Sequence, residues 1–333
     1  MQNRKQSPQQ QLFFQAFAFW QARAVAVAAE MSIADHLAEG PLDVAELAKR
    51  ANVNASALFR LLRALESAGI FSQASPRVFV NTETSEYLRK DVAGSQRAWI
   101  LLSLSKGSAD FDAWQEFDHS VRTEEASVEK LYGYDIWEFN RRNPEADAIF
   151  NEAMRSATAA MTPAVTAAYD WSKFAVIADI GGGVGTQLRS ILAASPASRG
   201  ILFDQPHVGA KSVSDDRIEF IGGDFFGSAP EGADAYLLRF ILHDWSDAKA
   251  GTILAAVRRA MKPTARLVVI ESIIPEGPEF NLGKWSDLHM MVAVNGRERT
   301  EAEFRDLLLK AGFELETVVP TASPLNLLVA KPV

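Results

Sequence analysis

Cysteine is absent from this chain of 333 residues. Disulfides, thiolate nucleophiles and Cys-ligated zinc are therefore excluded, and the absence fits a reducing compartment, so a cytoplasmic location is expected. Basic charge is also short: 34 Lys and Arg stand against 42 Asp and Glu, a formal net charge of -8. A field of that sign works against binding a phosphate backbone. Long apolar runs are few, and none is expected to span a membrane. The most apolar early stretch, "LFFQAFAFWQARAVAVAA" from Leu12, is interrupted by Gln15, Gln21 and Arg23. It reads as a helix that buries most of its surface, with a partner subunit covering part of it, rather than as a signal peptide. What is plentiful, 48% hydrophobic and 23% charged residues, is the mixture of a globular protein large enough for two domains.

Residues 31 to 90 carry a rhythm of short helices. "MSIADHLAEG" ends at Gly40, "LDVAELAKRANV" follows, and "NASALFRLLRALESAG" repeats Leu58, Leu61, Leu62 and Leu65 on one face. Asn54 and Ser56 are candidate caps and Gly69 a stop. "GIF" and "RVFVNT", turned through Ser75 and Pro76, read as the two strands of a wing, which makes the whole a winged-helix layout. Its third helix offers Arg60 and Arg63 but also Glu66, with Asp43, Glu46 and Glu83 nearby in sequence. That is not the basic footprint a DNA reader needs, so a structural or dimerising module is expected and no nucleic acid. Residues 96–170 then read as a helical, aromatic segment, with a break at Asn143 and Pro144. Its rings either form core or line an apolar pocket.

From residue 171 the texture changes. "AVIADIG", "RGILFDQ", "IEFIGGDFF", "ADAYLLRFIL" and "ARLVVIES" are apolar strand candidates separated by helical stretches. That alternation predicts a mostly parallel sheet covered on both faces. "FELETVVP" and "LNLLVAKP" lack a helix between them, so one terminal strand is expected to be antiparallel. The chain thus divides into 1–95, 96–170 and 171–333.

"ADIGGGVGTQL" places Asp179, Gly181, Gly183 and Gly185 between a strand and a helix. Glycines there allow a tight turn and close approach of a ligand to the helix N-terminus. Asp204 closes the next strand, 19 residues beyond Gly185, where a carboxylate can accept both ribose hydroxyls. Asp224 and Phe225 close the third strand, an acid for an amine and a ring for a base. Pattern alone admits a dinucleotide or S-adenosylmethionine. Asp179 ahead of the glycines and the departure from a six-strand parallel order lean toward the second.

"RFILHDWSD" runs from apolar strand into a polar cluster, and His243 there could be a base, a ligand or a strand-end cap. His243, His289 and Asp287 could be drawn as a facial triad, but the glycines and acidic flanks need no metal, and none is expected. Taken together, "DIGGGVG", "FDQP", "GDFF", "LRFILHDWSD", "VVIESIIPE" and "NGRERTEAEF" resemble, in order and spacing, the S-adenosylmethionine-dependent small-molecule O-methyltransferases of the plant caffeate and flavonoid type and the bacterial polyketide-tailoring type.

The resemblance implies a Rossmann-like class I methyltransferase sheet behind an N-terminal winged-helix dimerisation domain, and a homodimer. It implies that Gly181, Gly183 and Gly185 wrap the cofactor's amino-acid end, Asp204 holds its ribose, Asp224 and Phe225 meet its adenine, Trp245 packs against that ring, and Arg239 contacts the cofactor. His243 matches the family's general base, Asp244 positions the acceptor hydroxyl, Glu271 matches the acid that orients the base, and Glu298 matches a second acid flanking it. His289, Met290 and Asn295 lie where relatives line the acceptor pocket. The implied reaction is methyl transfer to a phenolic or enolic hydroxyl of an aromatic small molecule, in secondary metabolism such as antibiotic biosynthesis. Two alternatives stay open: a member that keeps the cofactor but decarboxylates, hydroxylates or cyclises, and a winged-helix regulator that responds to a ligand.

Overall fold

The computed structural model describes residues 7–209 and 215–333. They divide into two compact units, one of residues up to 115 with 137–156, the other of residues 116–136 with 157–333. The segment 96–170 is shared between them.

In the first unit, Ser7 opens the helix Pro8–Glu30 with a reciprocal capping box to Gln10. Contrary to expectation, this helix buries little within the chain: Leu12 is 74% exposed and Trp20 64%. Its apolar residues are spread around the axis, so a neighbour on one side leaves part of them uncovered. It is also long and apolar enough to cross a membrane, which the sequence reading had not allowed. Arg23 on it pairs with Glu30 at 3.1 Å.

The winged-helix rhythm folds as read. "MSIADHLAEG" contributes one short turn, Ile33–His36, since Ser32 turns left-handed before it. Asp43 caps the helix Val44–Arg50, and Asn54, not Ser56, caps Ala55–Ser67. Leu58, Leu62 and Leu65 enter a core with Val44, Leu47 and Phe79. The strands β1 (Leu42–Asp43), β2 (Phe71–Ser75) and β3 (Val78–Asn81) form an antiparallel sheet in the order β1-β3-β2. Glu66 is taken by Gln73, whose backbone N–H and side-chain amide both donate to it.

The second unit carries a seven-stranded sheet. Its strands are β4 (Val176–Ile180), β5 (Arg199–Asp204), β6 (Ile218–Gly222), β7 (Ala235–Arg239), β8 (Arg266–Ser272), β9 (Phe313–Pro320) and β10 (Leu325–Pro332). They lie in the order β6-β5-β4-β7-β8-β10-β9. All pairings are parallel except those of β10, which runs antiparallel to both β8 and β9. Alternation sorts the strands between two cores. Tyr236, Leu238, Leu267 and Val269 meet Leu254 and Phe304 on one face; Leu237, Val268 and Ile270 meet Trp171, Leu188 and Ile191 on the other. A fully buried aliphatic side chain of this kind contributes about 1.5–3 kcal/mol.

The chain builds outward from β4 to β6, then returns to lay β7 on the other side of β4. That reversal opens a crevice at the carboxyl ends of β4 and β7, where an open α/β sheet binds its ligand.

Candidate active site

Two turns flank the crevice. The first leaves β4 through the glycines. Gly181, Gly183 and Gly185 all take positive φ, 69°, 59° and 79°, which side chains rarely tolerate. Gly182, which sequence reasoning passed over, is needed for space: a Cβ there would fall 2.6 Å from both Asp179 Cγ and Leu202 Cδ1. The turn is tied to the next strand, because Gly183 N–H donates to Asp204 Oδ2 at 2.8 Å while Gln205 N–H donates to Oδ1 at 2.7 Å.

Asp179 is buried beneath this turn with Oδ2 unpartnered. Burial pushes its pKa up to about 7 although Arg239 pulls the other way. Arg239 is itself buried, and loss of solvent lowers its pKa to about 10. It donates to Thr162 Oγ1 at 2.9 Å and Gln187 Oε1 at 3.0 Å, partners that no local sequence pattern announces.

The other rim is aromatic. Phe225 stands beside Gly181, Phe226 packs edge-on against Trp245 at 4.9 Å, and Asp224 Oδ1 accepts the Phe226 N–H at 2.9 Å. Asp224 stays exposed at the mouth.

The second turn leaves β7. The strand was expected to continue through "FIL", but it stops at Arg239, because Phe240 takes φ 54°. Ile241 and Leu242 are buried in the turn that follows, and Leu242–Asp244 form one turn of 3₁₀ helix. Glu271, at the end of β8, holds this turn by its backbone. Its Oε1 accepts the N–H groups of Ile241, Leu242 and His243 at 3.2, 2.7 and 3.2 Å. Arg299, buried and missed by sequence reasoning although it lies inside "NGRERT", donates to the carbonyls of Leu242 and Trp245 and to Asp247.

These restraints aim His243. Glu298 Oε1 lies 3.1 Å from its Nδ1, and Asp244 Oδ1 3.4 Å from its Nε2. Glu271, expected as the acid that orients the base, reaches it through the backbone, while Glu298 meets the ring. Phe240 lies across the imidazole with centroids 5.2 Å apart. Burial alone would lower the His243 pKa, but Asp244, Glu298 and Glu271 outweigh it and push it to about 10. Burial pushes Asp244 up to about 6 and Glu271 to about 7, so the acids hold less than their full negative charge near neutrality.

The helix Leu282–Val294 crosses beside this cluster. His289 and Met290 on it are half-buried, and His289 acts electrostatically on Asp244. Asn295 ends the helix left-handed, and its side-chain amide is occupied by Ala126 N–H and Glu129, a structural role rather than the expected acceptor contact. Among the described residues no group of three or more His, Asp or Glu could hold a metal ion.

With this geometry in hand, known proteins give a consistent picture. Residues 114–314 match the O-methyltransferase domain family, and residues 14–91 the O-methyltransferase dimerisation domain. The chain is 39% identical to phenazine O-methyltransferase PhzM of Lysobacter antibioticus, over 95% of its own length and 94% of the relative's. Among solved structures, LaPhzM superposes with a TM-score of 0.91 at 38% identity, covering 98% of this chain and 100% of that one. The neocarzinostatin-biosynthesis O-methyltransferase NcsB1, solved with S-adenosylmethionine and 2-hydroxy-5-methyl naphthoic acid, has a TM-score of 0.80 at 30% identity, covering 94% and 96%.

Proposed function

The chain belongs to the S-adenosylmethionine-dependent O-methyltransferase family, and from that premise we propose that it methylates a hydroxyl on a fused or polycyclic aromatic small molecule, with His243 as the base. It is an enzyme with a Rossmann-like class I sheet and a dimerisation domain, and its cofactor is S-adenosylmethionine.

The residues present fit that cofactor. The glycine turn packs too closely for side chains, and the unpartnered Asp179 Oδ2 is an acceptor beneath it. Gly181, Gly183 and Gly185 would take the amino-acid end, Asp204 the ribose, and Asp224, Phe225 and Trp245 the adenine. Arg239 would act from below, through Asp179 and the Thr162–Gln187 pair. When bound, the cofactor supplies a methyl group activated by a sulfonium charge.

The chain's own part is to align the acceptor and take its proton. With Nδ1–H donated to the Glu298 carboxylate, the neutral imidazole keeps its lone pair on Nε2. A phenol has a pKa of about 10. An imidazolium raised to about 10 matches it, so once His243 has released its own Nε2 proton, transfer from oxygen to the neutral ring is near balance. Asp244 beside Nε2 would orient the hydroxyl, and Glu298 and Glu271 stabilise the imidazolium formed. Base assistance of this kind is typically worth about 10²- to 10⁴-fold. His289 and Met290 would touch the acceptor.

Residues 1–95 would form a cytoplasmic homodimer without binding nucleic acid, membrane or metal. The aromatic hydroxyl acid bound by NcsB1 supports the acceptor class. The observation that carries the reading is the His243–Glu298 hydrogen bond beside the crevice. A panel of hydroxynaphthoates and hydroxyphenazines, followed by intact product mass, should show a gain of 14 Da with at least one member, and His243→Ala should lower kcat at least a hundredfold with cofactor affinity kept. Wild-type turnover by that variant would remove His243 from the role of base.

A further inference from the structure

Glu298 is held by more than the imidazole. Its Oε1 takes a second hydrogen bond, 2.7 Å long, from the Ser286 hydroxyl. Its Oε2 is buried without a partner, and only 2% of its side chain is exposed. Its backbone N–H donates to Asp287 Oδ1 at 2.9 Å. Neighbours on the helix Leu282–Val294 therefore grip Glu298 by side chain and by backbone. The same helix carries His289 and Met290, three and four residues beyond Ser286, on the face Ser286 shares.

We propose that Ser286 is a positioning residue for the base: its hydroxyl fixes which oxygen of Glu298 meets His243 and tempers that carboxylate's pull on the imidazole proton. The idea rests on His243 being the base. A carboxylate with two oxygens can present either, and no other described residue fixes the choice, since Oε2 has no partner among them. Donation from Ser286 selects Oε1. It also offsets part of the negative charge that His243 feels, which keeps the imidazole easier to deprotonate. Because Ser286 rides on the helix that carries His289 and Met290, seating an acceptor against that helix and setting the base become one event.

The test uses Ser286→Ala and Ser286→Thr in the full chain. The first readout is ¹⁵N NMR of the imidazoles, with the His243 signals assigned by their loss in His243→Gln. In the wild type the neutral ring should carry its proton on Nδ1. Ser286→Ala should populate both tautomers and raise the His243 pKa, and Ser286→Thr, which keeps the hydroxyl, should restore both. With a panel acceptor that is turned over, kcat of Ser286→Ala at pH 7 should fall roughly two- to tenfold, the worth of one hydrogen bond, with KM for acceptor and cofactor within twofold. Imidazole signals and titration in Ser286→Ala identical to the wild type, in a protein of unchanged melting temperature, would overturn the proposal. Full activity of His243→Gln would instead overturn the parent reading, so the two failures are distinguishable.

Discussion

Two carboxylates beside His243 divide the work of holding it. Glu271 spends one oxygen on three consecutive backbone N–H groups, and Glu298 gives one to the ring. Asp244 stands apart from both: it faces Nε2, the nitrogen that must be free. Its negative charge helps hold the proton on His243, so the base is largely protonated near neutrality and activity should rise with pH. Removing that charge lowers the His243 pKa, and the neutral form then appears at lower pH. Asp244→Asn should accordingly move the ascending limb of the kcat–pH profile toward acid relative to the wild type. A limb that moves toward alkali or stays in place would mean that the Asp244 charge does not govern the base.

At the scale of elements, the crossing of two segments sets the base. After the helix Leu282–Val294 ends, Gly296 passes directly over the His243 carbonyl, where an added Cβ would lie 2.1 Å from the oxygen. Arg297 N–H then donates to that same carbonyl at 2.8 Å. Backbone on backbone cannot yield as a flexible side chain can. Gly296→Ala should therefore cost about 1–3 kcal/mol of stability by urea denaturation, and displacing the base should lower kcat about a hundredfold.

Much of this arrangement was legible in the sequence, since glycines, strand-end acids and the apolar rhythm of β4 to β8 are local signals. The end of β7 was not. An aromatic residue such as Phe240 gives no local hint of positive φ, and the restraints that follow it come from Glu271 and Arg299, each more than 25 residues away. That Glu271 holds His243 by its backbone and not by its ring was hidden for the same reason.

On the scale of the whole molecule, the exposed helix Pro8–Glu30 is the largest departure from a self-sufficient fold. The sequence marked it as a helix to be buried, yet nothing among the described residues covers Leu12, Phe13 and Trp20. The match to the dimerisation domain, which begins within this helix at residue 14, argues that a second copy does. Phe13→Asp with Trp20→Asp should shift the protein from dimer to monomer in light scattering coupled to size exclusion, leaving its circular dichroism intact. A dimer of unchanged stability would place the interface elsewhere.

The antiparallel strand β10 has a consequence for how the protein is made. It lies between β8 and β9, so β9 reaches the sheet only through a strand synthesised after it. On the ribosome, β4 to β8 can pair as they emerge, but β9 must wait unpaired until Leu325–Pro332 has cleared the exit tunnel. A nascent chain stalled before Leu325 would expose three open edges, one of β8 and both of β9, to any neighbouring strand. Closure of the sheet, and with it the footing of Glu271 at the end of β8, is thus a late event in the life of the nascent chain.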